Sequence, residues 1–378
     1  MTARFEDDRA VVRDMLQRDA RALAEMLAPG GRAGRGGREW RAPNPFRGEV
    51  KNSGSFVVYL TGEAAGGFKE FDAGESEKGD VFDLIIRSPL TPATDFNTAM
   101  AWARARYNLP GPKDANESEA AAEARRARLA SAKADAEARA VVQAAEAAAY
   151  DAQRIKWATS IWDDARPLRA SGPVFEYLTA SRRDGGRGCD PETVLGAGLR
   201  EMPRLAHRAE DGARTHWPAL ICAVRQPDGA LSAVHRIYVR PDRPGKAPVD
   251  RPRLILGAPR GAAIRLSPGQ MIDGHLDEIG TEGVEDGLHL LHARPAARVL
   301  ALVSVAGFQN FTPVTDLPRA TRRILVPDND WTGGPAAEAF ADAASRIARA
   351  EPDVQTRIAR MPVGKDADDF NNRRQDDE

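Results

Sequence analysis

The sequence is short of the residues that would place it in several common classes. Only two cysteines occur in 378 residues, Cys189 and Cys222, and their wide separation builds neither a disulfide framework nor a zinc cluster. Histidines number six and aromatic residues make up 6% of the chain. A site relying on several imidazole or thiolate ligands is therefore poorly supplied. No run approaches the roughly 20 apolar residues needed to span a bilayer. The N-terminus (Arg4, Glu6, Asp7, Asp8, Arg9) lacks the apolar core of a secretory signal, so the expectation is a soluble, cytoplasmic protein with no membrane partner. There is also no net charge to speak of, −1 from 54 basic and 55 acidic residues. Attraction to nucleic acid must then come from uneven placement of charge. A Gly-x-x-x-x-Gly-Lys-Ser/Thr loop is missing too, which excludes a P-loop motor within these residues.

What is present falls into segments of distinct character, and the length suggests two or three domains. Helical spacing over residues 5–28 (Val11, Met15, Leu16, Leu23, Met26, Leu27) predicts a helix that stops at Pro29-Gly30-Gly31. Ser55 to Leu60 and Gly67 to Phe71 read as strands around a turn at Gly62 to Gly66. Helices near 80–86 and 96–107 complete a small α+β unit over residues 1–112. Residues 113–165 are rich in Ala, Glu, Arg and Lys, the composition of a long exposed helix, with Trp157, Ile161 and Trp162 expected to anchor its end. Residues 166–270 are mixed; Leu220 to Val224 and Ser232 to Val239 flank the turn Pro227-Asp228-Gly229, a hairpin signal.

Residues 271–378 alternate differently. The runs 277–281, 298–305, 322–327 and 354–361 are of strand length and are separated by helix-like segments at 284–293 and 334–350. That order predicts a parallel sheet covered on both faces, an α/β fold, with functional groups beyond the carboxyl ends of its strands. Carboxylates lie where that rule points: Glu282 after the first strand, Asp328 and Asp330 after the third, and Asp366, Asp368 and Asp369 after the fourth. Crowded carboxylates repel one another unless a cation neutralises them, and hard oxygen donors suit Mg²⁺ or Mn²⁺.

Between these regions, residues 225–265 carry nine basic residues (among them Arg236, Arg240, Lys246, Arg253) against three acids. Phosphate contacts and a solvated face both account for such an excess.

The order of these motifs resembles the Toprim domain of DnaG-type DNA primases, of the phage, plasmid or mobile-element branch. Thr281-Glu282-Gly283-Val284-Glu285-Asp286 is similar to the family's Glu-Gly-x-x-Asp motif. Ser304-Val305-Ala306-Gly307 resembles its Ser-x-Gly turn with one residue more. Asp328-Asn329-Asp330-Trp331-Thr332-Gly333 matches Asp-x-Asp-x-x-Gly, and Pro362-Val363-Gly364-Lys365-Asp366-Ala367-Asp368 is similar to Pro-x-Gly-x-Asp-Pro-Asp. The resemblance implies that Glu282, Asp328 and Asp330 are catalytic and hold Mg²⁺ with Asp366 and Asp368 nearby, that Asp286 is a secondary acid, and that Glu285 is no ligand. His235-Arg236 and Pro252-Arg253-Leu254 fall where primases carry Gly-Arg and Pro-Lys-Tyr, which points to Arg236 and Arg253 for nucleic-acid binding, and the local basic excess adds Arg240 and Lys246. Phe175 to Leu178 resembles a helix opening the primase core, its residues serving packing.

The N-terminal unit resembles the primase zinc ribbon with its ligands replaced. Asn44, Arg47, Glu70 and Ala73 stand at the ligand positions, which supply no thiolate or imidazole for structural zinc. A metal-free ribbon is the expectation; template contact and a purely structural remnant both remain open. The function implied is Mg²⁺-dependent primer synthesis from NTPs on single-stranded DNA, in cooperation with a separate replicative helicase. A Toprim nuclease and a non-catalytic replication accessory are the alternatives.

Overall fold

The computed structural model describes residues 3–34, 37–46, 55–70, 77–107, 109, 119–209, 212–328 and 335–359. The chain divides into two compact units, Met1–Tyr150 and Asp151–Glu378.

In the first unit the expected single N-terminal helix is two, Ala3–Arg18 and Ala20–Leu27, parted at Asp19. Five short antiparallel strands follow in sequence order, then the helices Val81–Arg87 and Phe96–Arg106. Asp80 and Asp95 each close a capping box with the residue three positions on, satisfying amides that a helix start leaves open. Phe56 and Phe68 stack at 5.2 Å, and Phe46 meets both edge-on. Beside them Asn44 Nδ2 donates to the buried Glu70 carboxylate at 2.7 Å, while Asn44 Oδ1 accepts from the Phe46 amide. Two of the four expected ligand positions thus meet through a hydrogen bond; Arg47 and Ala73 lie outside the described residues.

The Ala-rich helix runs Glu119–Asp164. Ala158 is fully buried and Ile161 and Trp162 pack with it, whereas Trp157 is 53% exposed. Trp157 is therefore not the anchor that its size suggested, because helical spacing turns it away from the face that Ala158 and Ile161 share.

The second unit is built on one ten-stranded mixed sheet. Its antiparallel part comprises Arg200–Arg208, Arg214–Arg225, Leu231–Tyr238 and Arg253–Gly257. The hairpin turn uses Gly229 at φ +87°, and Asp228 Oδ1 accepts from the Ala230 amide. Strand Ala263–Pro268 pairs with Arg214–Arg225 on one side and with Arg298–Ala301 on the other. The expected boundary near residue 270 therefore falls within one continuous sheet.

The parallel part runs in the order Arg298–Ala301, Asp277–Thr281, Arg322–Val326, Gln355–Ile358. Helix Val284–Ala293 covers one face through Val284, Leu288 and Leu291, and helix Pro335–Ala350 covers the other through Phe340, Ala343 and Ile347. The doubly covered parallel sheet read from the sequence is what forms. One strand ends early: it stops at Ala301 instead of running to Val305, because Val303 takes φ +71° and Ser304 caps a short helix, Val305–Gln309. Below the sheet, at the strand starts, Glu278 bridges Arg298 (3.1 Å) and Arg323 (2.7 Å), all three at most 2% exposed.

Candidate functional site

The first parallel strand lies between its neighbours, and the chain passes from it to one side and then returns to the other. Such a reversal opens a crevice at the carboxyl ends of the strands. Thr281 and Val326 are register partners on adjacent strands, so Glu282 and Asp328 leave the sheet at neighbouring points. Thr281 Oγ1 donates to the Gly283 carbonyl at 2.8 Å and holds the turn. Gly283 suits that turn: a Cβ would lie 2.5 Å from Asp286 Oδ2, so any larger residue would make the Asp286 carboxylate shift.

These elements line a cleft of about 480 Å³ whose lining carries charges of both signs. Its lining includes the acids Glu282, Glu285, Asp286 and Asp328, the cations Arg182, Arg187, Lys246 and Arg253, and Val303, with His235 and Ile255 contributed by the strands that form its floor. Val303 holds a left-handed backbone that a β-branched side chain disfavours.

Glu285 is the best-defined group. It is 4% exposed, and its Oε1 accepts both from the Tyr177 hydroxyl and from Arg253 Nη2, each at 2.7 Å. Burial alone would raise its carboxyl, but the charges of Arg253 and Lys246 and the Tyr177 hydroxyl outweigh burial and hold it well below the usual carboxylate range. The Tyr177 phenol is pushed far up by burial and by the Glu285 charge, so it stays a donor. Arg187 Nε in turn donates to the Tyr177 oxygen at 3.1 Å, with its guanidinium 5.2 Å from the ring centre. His235 is pushed down to about 4 by burial, with Arg253, Arg236 and Lys246 adding to the effect and Glu285 opposing it.

Of the residues singled out from sequence, Glu282, Asp286, Asp328, Lys246 and Arg253 come together in this cleft. Arg236 and Arg240 do not line it. Arg236 pairs in register with Ile221 and Leu254 on the opposite sheet face, and its Nη1 donates to Tyr238 Oη at 3.3 Å. Arg240 is engaged by Asp242 at 3.1 and 2.9 Å. Asp330, Asp366 and Asp368 lie outside the described residues. Among the described residues no three His, Cys, Asp or Glu side chains converge on a single metal position. Sequence reasoning passed over Tyr177, read as packing, and Glu285, read as idle. It also passed over Arg182 and Arg187, whose signal was the basic, glycine-rich stretch Arg182 to Gly188.

Comparison with known proteins bears on this geometry. Residues 279–377 match the Toprim domain family. The Glu-Gly turn, Asp328 and all of the parallel sheet but the first two residues of strand Asp277–Thr281 fall inside that Toprim part. Residues 152–266, the antiparallel part, match a domain of unknown function, DUF7146. No curated protein matches the chain. Among solved structures, the primase fragment of the bacteriophage T7 primase-helicase is 18% identical over 50% of this chain and 69% of its own, with a TM-score of 0.33. The zinc-binding and RNA polymerase domains of Aquifex aeolicus primase are 16% identical over 95% and 82%, TM-score 0.35. A DNA primase domain from Pseudomonas aeruginosa is 16% identical over 57% and 73%, TM-score 0.36. With TM-scores this low, the assignment of the Toprim part rests on the family match. No helix among the described residues is long and apolar enough to cross a membrane.

Proposed function

We propose that the chain is a DNA primase-type nucleotidyltransferase that makes short primers on single-stranded DNA from NTPs in a divalent-metal-dependent reaction. The observation that carries this reading is the cleft itself, in which carboxylates at adjacent strand ends and four cations line one cavity. Phosphoryl transfer needs little from a protein beyond positioning and electrostatic stabilisation, and a cleft lined by acids and cations together offers groups for both. A nucleotide triphosphate carries negative charge that Arg182, Arg187, Lys246 and Arg253 would bind from one side.

The carboxylates fit Mg²⁺ by their donor chemistry, oxygen only, with no thiolate among the groups lining the cleft. Glu282 and Asp328 would hold the ion together with Asp330, Asp286 would serve as a secondary acid, and Asp366 and Asp368 would add to the acidic set. When bound, a divalent ion supplies charge neutralisation for the leaving pyrophosphate and acidifies the attacking 3′-hydroxyl. Glu285 takes no part in this, since it is committed to Tyr177 and Arg253. Neutral His235 adds no charge to the floor.

Template would approach over the basic residues of the antiparallel part, and a separate helicase would supply unwinding. In the N-terminal unit, the hydrogen bond between Asn44 and Glu70 supports a ribbon-like fold that needs no zinc. The deciding assay is incubation with single-stranded DNA, labelled NTPs and Mg²⁺. New oligonucleotides support the proposal; cleavage of the DNA favours a Toprim nuclease, and neither product favours a non-catalytic accessory.

A further inference from the structure

His235 is a polar group to which the fold supplies no partner. Strand Leu231–Tyr238 places it between Cys222 and Ile255, its register partners on the neighbouring strands. The residue is 5% exposed, and its Nδ1 is sealed from solvent with no hydrogen-bond partner among the described residues. A buried polar atom left in this way is unfavourable, and most such atoms in proteins meet a partner. His235 also lines the cleft. With Nδ1 sealed, Nε2 is the ring nitrogen that a ligand in the cleft would meet. Burial, aided by Arg253, Arg236 and Lys246 and opposed by Glu285, pushes the imidazole down to about 4, so near pH 7 the ring is neutral. Orphaned buried N–H groups are rarer than under-used acceptors, which puts the single proton on Nε2 and presents one uncharged donor to the cleft.

The chemistry of that donor narrows what it meets. Phosphates have four cations in the same lining, to whose charge a neutral imidazole adds nothing. Its cross-strand neighbour Ile255 is apolar, and Leu254 and Val303 also belong to the lining. A polar atom set among apolar side chains is how a pocket orients the uncharged part of a ligand. The four bases differ in their acceptors, yet an enzyme that copies a template takes each in turn, whereas the sugar is common to all. We infer that His235 is a specificity-determining residue that hydrogen-bonds a ribose hydroxyl of the incoming nucleotide. This rests on the nucleotidyltransferase reading proposed above. A site that pairs a buried group with a substrate hydroxyl disfavours the analogue lacking it, because the group is then left unpaired.

The test compares four probes, ATP, 2′-deoxy-ATP, 3′-deoxy-ATP and inorganic tripolyphosphate, each titrated calorimetrically into the full-length protein without divalent metal. One neutral hydrogen bond sets the scale, so the parent should bind ATP roughly fivefold more tightly than one of the two deoxy analogues, and which analogue loses affinity identifies the hydroxyl. His235→Leu should remove that difference by weakening ATP while leaving tripolyphosphate at its parental affinity. His235→Gln keeps an N–H donor of similar reach and should retain part of the difference; it serves if His235→Leu does not fold. Equal affinity of the parent for ATP and both deoxy analogues overturns the inference, whatever the variants do. So does an undiminished preference in His235→Leu, and so does an equal loss of ATP and tripolyphosphate, which would move the contact to the phosphates. If the parent binds none of the four probes, the nucleotide-binding reading of the cleft falls and this inference with it; tripolyphosphate binding without any dependence on the ribose removes the inference alone.

Discussion

His235 allows a quantitative test of how the floor of the cleft is built. The imidazole is 5% exposed, its Nδ1 has no hydrogen-bond partner among the described residues, and its neighbours across the sheet are Cys222 and Ile255. Arg253, Arg236 and Lys246 disfavour its charged form, and only Glu285 favours it. Its folded-state value is pushed down to about 4, against about 6.5 in an unfolded chain. The unfolded state therefore binds the proton more readily, and stability falls as pH drops from about 6.5 towards 4. Linkage between these two values gives a loss of about 2 kcal/mol between pH 8 and pH 5 from this one group. Urea unfolding followed by the fluorescence of Trp162 and Trp217 should show the loss in the parent protein. His235→Leu should flatten the pH dependence by the same amount, whatever it does to stability at pH 8. Equal pH dependence in parent and variant would mean that the imidazole is solvated or paired in the native state, and the description of the cleft floor would be wrong.

Replacing Glu282 by Gln or Asp328 by Asn should reduce primer synthesis by orders of magnitude while the melting temperature stays near or above the parental value, since carboxylate repulsion is relieved; parental activity in either variant would remove the Toprim cleft as the catalyst. Arg253→Ala should weaken tripolyphosphate binding, whereas Arg236→Ala, on the other sheet face, should not, and equal losses would contradict the assignment of faces. Glu278→Gln strips the shared partner from two buried arginines and should cost roughly 3–5 kcal/mol in urea unfolding, with a loss below about 1 kcal/mol refuting the network. Asn44→Ala should cost about 1–2 kcal/mol through the Glu70 carboxylate, and elemental analysis of the parent should find no stoichiometric zinc; one tightly bound zinc per chain would mean that a metal sits in the ribbon.

The Toprim part was the most legible because its physics is written in adjacent residues. Strands buried on both faces read as short apolar runs, and the Glu-Gly turn after the first follows directly on its last residue, so Glu282 and Asp328 could be placed by order alone. The cationic lining of the cleft was only half legible. A tally of nine basic residues counts Arg236 and Arg253 alike, yet their register positions on neighbouring strands send them to opposite faces, and parity decides this only once the pairing is known. Glu285 and Asp286 are indistinguishable as letters. One residue of helix turns a side chain by about 100°, which carries Glu285 into the buried network and leaves Asp286 beside Gly283. Tyr177 was hidden by its own hydrophobicity: its spacing fits a packing face and it does pack, but its hydroxyl meets a carboxylate 108 residues away. Local pattern records which side of an element is buried, whereas a buried polar group is defined by its partner. The groups that set the electrostatics of this cleft are long-range partners of that kind.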